Sequence, residues 1–198
     1  MDETDDLVLL QRWHDGDAAA SNVLVDRHIE AITRFFKLKG IDEVNDLVND
    51  TFLACRESKT AAHAITSFRA WLFGTARNLL LARWRKRPAF DPTTSSIAQL
   101  GPTASSVLIV AENHQRLVHA LWRIPLDDQI VIELYYWDGL TTPELATVLG
   151  VAEPTARRHL QRAREAVRLC FADAPGGGRD GSIEDWRAAI RPQIPPEG

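Results

Sequence analysis

The stretch 88–106, PAFDPTTSSIAQLGPTASS, interrupts a chain otherwise patterned for helices and carries one charged residue among its prolines, serines, threonines and glycine. Such a composition reads as a flexible linker. It separates residues 1–87 from 107–172, and a second Gly-rich stretch, DAPGGGRDG, opens a flexible C-terminal extension over 173–198. On both sides of the linker apolar residues recur every three or four positions and no alternating strand pattern appears. Helices are expected over 5–16, 18–39, 43–58, 68–86, 107–123, 126–137, 143–149 and 154–172. Gly40, Gly139 and Gly150 stand where left-handed C-terminal caps are needed, and Thr141 with Glu144 forms a capping-box pattern around Pro143. The expected fold is all-α: two small helical domains joined by a flexible linker, the C-terminal one a helix-turn-helix. A domain of about 60 residues hides only about 60% of its unfolded surface, so each half alone can build only a modest core.

Charge is distributed in blocks. The net charge is −4, yet SFRAWLFGTARNLLLARWRKR (67–87) holds Arg69, Arg77, Arg83, Arg85, Lys86 and Arg87 without a carboxylate. Residues 157–168 contain Arg157, Arg158, Arg162, Arg164 and Arg168 against Glu165, whereas 126–144 contain Asp127, Asp128, Glu133, Asp138 and Glu144 with no base. The blocks are either separate surfaces for a polyanion and for a basic or neutral protein, or ordinary solvated helix faces.

Several classes are excluded. The start, MDETDD, is not a secretory signal, and no apolar run is long enough to span a bilayer, so a cytoplasmic protein without membrane insertion is expected. Cys55 and Cys170 lie in helical patterns far apart and suggest neither a disulfide framework nor a metal pair. Phosphate-binding loops, zinc-protease motifs and nucleophile elbows are missing, and the six histidines are scattered. The chain is therefore read as a non-enzyme with no catalytic residues, metal or cofactor.

DGLTTPELATVLGVAEPTARRHLQRAREAVR has the order short helix, Gly-containing turn, longer basic helix. On a helical wheel Ala156, Leu160, Ala163 and Val167 share one face, while Arg158, Gln161 and Arg162 lie opposite, flanked by Thr155 and Arg157. An apolar stripe that docks on its own domain and an Arg/Gln face that reaches base edges and phosphates are what a major-groove helix needs. In the basic segment, Phe68, Trp71, Leu72, Phe73, Ala76, Leu79 and Leu80 form an apolar arc, with Arg77, Asn78, Leu81 and Arg85 across from it. Trp71 is read as core, whereas Trp84 fits a core position or a base-stacking position equally.

Taken in order, HDGDAAASNVLVDRH, DLVNDTFLA, SFRAWLFGTARN, RWRKR and, after the linker, LTTPELATVLGVAEPTARRHLQRARE resemble the second and fourth conserved regions of bacterial RNA polymerase sigma factors. The two-domain length points to the extracytoplasmic-function (ECF) group of the sigma-70 family. The resemblance implies a transcription-initiation role as a DNA-binding specificity subunit that recruits core RNA polymerase to promoters. It places Asp46, Asn49 and Asp50 against the clamp helices of the polymerase's largest subunit, with Phe52 internal. The loop 58–67, with His63, would capture a flipped base of the −10 element, and Arg77, Asn78, Leu81, Trp84 and Arg85 would hold that element as it melts. Thr155, Arg157, Arg158, Gln161 and Arg162 would read the −35 duplex. Promoter DNA and core polymerase are the implied partners, and an anti-sigma factor is a further one that the family admits.

This sequence departs from the family pattern in places. Glu43, Val44, Asn45 and Asp46 replace a common Asp-Ala-Glu-Asp, Asn49 replaces a common Gln, Ala152 stands at the usual Ser/Thr cap, Pro154 at a usual Gly, and His159 at a usually larger basic residue. The rival reading is a helix-turn-helix repressor or response-type regulator acting on duplex DNA alone, which leaves the aromatic-basic segment without a role. The extension is either solvated or a short helix built on Ile183, Trp186, Ala189 and Ile190.

Overall fold

The computed structural model describes residues 3–58, 65–85, 90–101 and 112–172; the C-terminal extension lies outside the described residues. Its first half contains α1 (Glu3–His14), α2 (Ala18–Lys37), α3 (Val44–Glu57) and α4 (Phe68–Trp84). The second contains α6 (Glu112–Arg123), α7 (Leu126–Tyr136), α8 (Thr142–Leu149) and α9 (Glu153–Ala172), with a short α5 (Ile97–Leu100) between them. No strand occurs among the described residues beyond one isolated bridge, Ser96 with Pro125, and the fold is all-α as the periodicity predicts.

The local signals work as expected. Asp17 caps α2 by accepting from the Ala19 and Ala20 amides, and the Arg12 guanidinium, 2.6 Å away, is the main reason its carboxyl is held below the usual range. The buried face of α2, formed by Ala20, Leu24, His28, Ile32, Phe35 and Phe36, follows the 3.6-residue period. Thr141 and Glu144 form the expected capping box of α8, and Gly150 ends that helix at φ 69°.

Within the stretch expected as a flexible linker, residues 90–101 lie against both halves. Ile97 is buried, Phe90 meets Trp84 with ring centroids 5.6 Å apart, and the Leu126 and Asp127 amides donate to Ser95 and Pro92 carbonyls at 3.0 Å. One apolar cluster runs from Leu9 and Phe36 through Phe68 and Phe73 to Ile130, Leu145, Val148 and Leu160. A smaller one joins Leu121, Ile124, Ile132, Ala163 and Val167. The helix α4 is buried on opposite sides, facing α3 on one and α8 on the other, which is why nine of its residues are buried. Two modest cores have been merged into one larger core, which removes the limit on stability that each half would meet alone.

Buried polar contacts cross the same boundary. Lys39, with no exposed surface, pairs with Glu133, and Gln129 donates to Glu133 Oε1 at 2.6 Å and to the Leu38 carbonyl at 3.2 Å. Trp122 Nε1 donates to the same carbonyl at 2.7 Å. Burial lowers the Lys39 pKa and raises that of Glu133, so each charge depends on the other. Arg34 pairs with Asp138 at 2.5 Å, Arg69 donates to the Asp138 carbonyl, and Ser67 donates to Glu144 at 2.7 Å.

Two measurements follow from these pairs. Lys39→Met alone should cost about 3–5 kcal/mol in urea unfolding because it strands Glu133, and adding Glu133→Leu should recover most of the loss. Burial lifts the Asp138 carboxyl to about 6 despite Arg34 and Arg69. A raised carboxyl stabilises the folded form fully below its unfolded value and loses that contribution as pH rises through the folded value. Relative to Asp138→Asn, the parent chain should therefore lose about 2.5 kcal/mol between pH 4 and 7 in parallel melts.

Candidate nucleic-acid interface

The helix-turn-helix consists of α8, the turn at Gly150 and α9. Ala156, Leu160, Ala163 and Val167 are buried, the stripe that the wheel predicts, and seat α9 on α7 and α8. Arg157, Arg158, Gln161, Arg162 and Arg168 are exposed, while Thr155 is half-buried. Ala152 supplies no side-chain cap, but its carbonyl accepts from the Thr155 and Ala156 amides at 2.9 and 3.2 Å, with Pro154 in the first turn. Arg157 is held by Glu153 one turn back, at 2.6 Å.

Arg162 differs from its neighbours. Its guanidinium grips Asp128 of α7 through two contacts of 2.6 and 2.7 Å, and His159 reaches the same carboxylate at 2.7 Å. Asp128 is fully buried, and its hydrogen bond raises the Arg162 pKa. Arg162 thus fixes the helix to its domain as well as standing beside the exposed face, which leaves Arg158 and Gln161 as the less committed pair.

In the first half the sequence set divides. Asn78 and Arg85 are exposed. Arg77 and Leu81 are buried, which corrects the expectation that they project from α4, and Trp84 is buried as well, the core one of the two positions that its pattern fits. Arg77 places Nε and Nη2 at 3.0 and 2.7 Å from Asp127 Oδ1, while Trp84 closes on Phe90. The physical reason is that α7, α8 and residues 90–101 cover the side of α4 that a wheel leaves open. A Cβ added at Gly74 would lie 3.8 Å from the Val148 Cα, so the two helices touch there at van der Waals distance. His63 falls outside the described residues.

On α3 the expected positions Asp46, Asn49 and Asp50 are exposed together, and Phe52 is buried as expected. The same outer face carries Leu53, 46% exposed, which the sequence reading passed over although it lies one turn beyond Asn49 and Asp50. The acidic block 126–144 was also misplaced. Four of its five carboxylates are turned inward, Asp127 to Arg77, Asp128 to Arg162 and His159, Glu133 to Lys39 and Asp138 to Arg34, while the half-buried Glu144 accepts from Ser67 and caps its own helix at Thr141. The partner of that block is the chain itself.

Residues 114–167 match the family model described as Sigma-70, region 4. The chain is 30% identical over 163 residues to the ECF RNA polymerase sigma factor SigL of Mycobacterium tuberculosis, covering 79% of this chain and 92% of that one. It is 25% identical over 176 residues to the ECF RNA polymerase sigma-E factor of Salmonella typhimurium, covering 82% and 92%. Among solved structures, CnrH in complex with the cytosolic domain of CnrY superposes with a TM-score of 0.64 at 27% identity, covering 86% of this chain and 99% of that one. The sigma factor RpoE of Bartonella quintana, bound to the anti-sigma factor NepR, gives 0.54 at 20% identity over 76% and 96%, a likeness of fold.

The two arginines of α9 should separate in a stability measurement. Arg162→Ala should destabilise the chain by about 1–3 kcal/mol because it leaves the buried Asp128 underpartnered, whereas Arg158→Ala should stay within about 0.5 kcal/mol. Thermal melts of both variants test this, and equal losses would remove the distinction.

Proposed function

Because the chain belongs to the ECF RNA polymerase sigma factors, we propose that it acts by binding core polymerase through α3 and contacting promoter DNA through α4 and α9. The observation that carries the reading is α9, whose apolar stripe is buried while Arg157, Arg158 and Gln161 face solvent on a helix-turn-helix. That partition suits major-groove reading of a −35 duplex, with Arg158 and Gln161 to base edges and Arg157 and Arg162 nearer the phosphates. Thr155 lies at the helix start beside them. Asn78 and Arg85 supply the exposed part of the −10 surface, and Arg77, Leu81 and Trp84 line the same helix.

Core docking rests on Asp46, Asn49 and Asp50, an acidic row suited to a basic coiled coil. Leu53 adds an apolar contact to that row. The role is non-catalytic: the protein's contribution is recognition and strand separation, and the polymerase makes the bonds. No helix among the described residues is long and apolar enough to cross a membrane, which fits work on cytoplasmic DNA. Regulation by an anti-sigma factor is consistent with the complexes of CnrH with CnrY and RpoE with NepR.

The deciding experiment is run-off transcription by core polymerase on genomic fragments with and without the chain. Protein-dependent start sites are expected. Asp50→Lys should abolish them, and Arg158→Ala should weaken preference at one −35 position by about 1–3 kcal/mol. Tight binding of the isolated chain to duplex DNA without any dependent initiation would favour a repressor instead.

A further inference from the structure

Arg157 and Arg162 both stand on the exposed side of α9 beside a carboxylate, but the two carboxylates differ in freedom. The Glu153 side chain is 42% exposed and lies on α9 itself, so it can swing with Arg157. Asp128 has no exposed surface, belongs to the first turn of α7, and accepts from Arg162 Nε and Nη2 at 2.6 and 2.7 Å. Its Oδ1 also lies 2.7 Å from His159 Nδ1, so that nitrogen must carry the hydrogen. The 3.2 Å approach of Arg162 Nη2 to the same nitrogen is then two donors sharing one oxygen, without a bond between them. These three donors and the positive end of α7 compensate a carboxylate that has no room to move.

A guanidinium is planar and presents its donors as a rigid fork. Asp128 occupies the edge formed by Nε and Nη2. The end-on edge, Nη1 with the second Nη2 hydrogen, must then point away from Asp128, and the Arg162 side chain is 52% exposed. Such an edge matches two oxygens of one phosphate. We infer that Asp128 is a positioning residue for duplex recognition: by holding one edge of Arg162 it aims the other at a single backbone phosphate, and so fixes the register in which Arg158 and Gln161 meet the base pairs. The inference rests on the reading of α9 as the −35 helix and adds the residue that sets its register. Phosphate contacts place a recognition helix, and base contacts then specify. An unheld arginine follows a phosphate wherever the helix lies and favours every register alike. One held by a buried carboxylate favours only the register that brings a phosphate to its open edge. The negative charge beside Arg162 also weakens its attraction to DNA in general, so Asp128 exchanges affinity for discrimination.

Asp128→Asn replaces one acceptor oxygen by a donor and releases the held edge. The test uses core polymerase assembled with the full chain, on a fragment that the parent transcribes and on the same fragment with its −35 base pairs shuffled. The ratio of the two affinities should fall about three- to tenfold, the effect of one side chain no longer held in its bound rotamer. Binding to the shuffled fragment should become more salt-dependent, by about 0.9 in slope, as Arg162 gains a full phosphate contact in any register. In an Arg162→Ala background the same substitution should leave the ratio where Arg162→Ala alone puts it. A role for Asp128 in folding alone would lower the ratio equally in both backgrounds. That result, or an unchanged ratio in Asp128→Asn, overturns the inference.

Arg162→Lys gives a second arm that leaves Asp128 in place with a cation beside it. An ammonium is a point charge without a second edge, so the ratio should fall as it does in Asp128→Asn, and a parental ratio overturns the inference. Circular dichroism melts check that each variant is folded at the assay temperature. If the parent chain directs no transcription, the sigma reading has failed. The ratio is then read with the full chain alone, on the duplexes that it enriches from a random-sequence pool against the unselected pool. Enrichment of none would overturn this inference as well.

Discussion

Lys39 is an ammonium group with no access to water, and its counter-charge, Glu133, comes from the other half of the chain. Isolated, either group would cost several kcal/mol to bury. Together, with Phe35 beneath the ammonium at 4.2 Å and Gln129 on the carboxylate, they are tolerated only when α2 and α7 are in one register. The two halves therefore cannot slide on each other without uncovering a charge. The remaining arrangement, including the contact of α8 with α4, is built around that fixed point.

The free energy that holds the halves together is largely apolar. Leu145, Val148 and Leu149 of α8 complete a cluster that also contains Phe68, Phe73 and Leu80 of α4, and burial of such side chains contributes about 1.5–3 kcal/mol each as an upper range. The ion pairs contribute register more than strength. This division has a functional meaning for a sigma factor: apolar contact between domains is general, but the pairs determine which faces are hidden. Here the hidden face includes Arg77, while the solvent face of α9 and the acidic row of α3 stay open.

The charge blocks show how far the sequence could be read. The basic face of α9 was legible because an amphipathic helix carries its pattern locally, within a few turns. The acidic row Asp46, Asn49 and Asp50 was legible for the same reason. The block 126–144 was not, since an acidic run looks alike whether it meets solvent, another protein or the rest of its own chain. Trp84 shows the same limit, because its partner Phe90 lies beyond the end of α4, inside a stretch whose Pro/Ser/Thr content points to a loop.

Helix positions, the caps at Asp17, Thr141 and Gly150 and the buried stripe of α9 were set by the sequence alone, because hydrogen bonding and periodicity within a helix span only a few residues. The tertiary structure decided which of those faces remain accessible. Arg77 and Asp127 are 50 residues apart, Lys39 and Glu133 94, and Arg34 and Asp138 104. No local pattern encodes contacts over such distances. They arise only when two half-sized cores gain more by burying their apolar faces on each other than by leaving them to water.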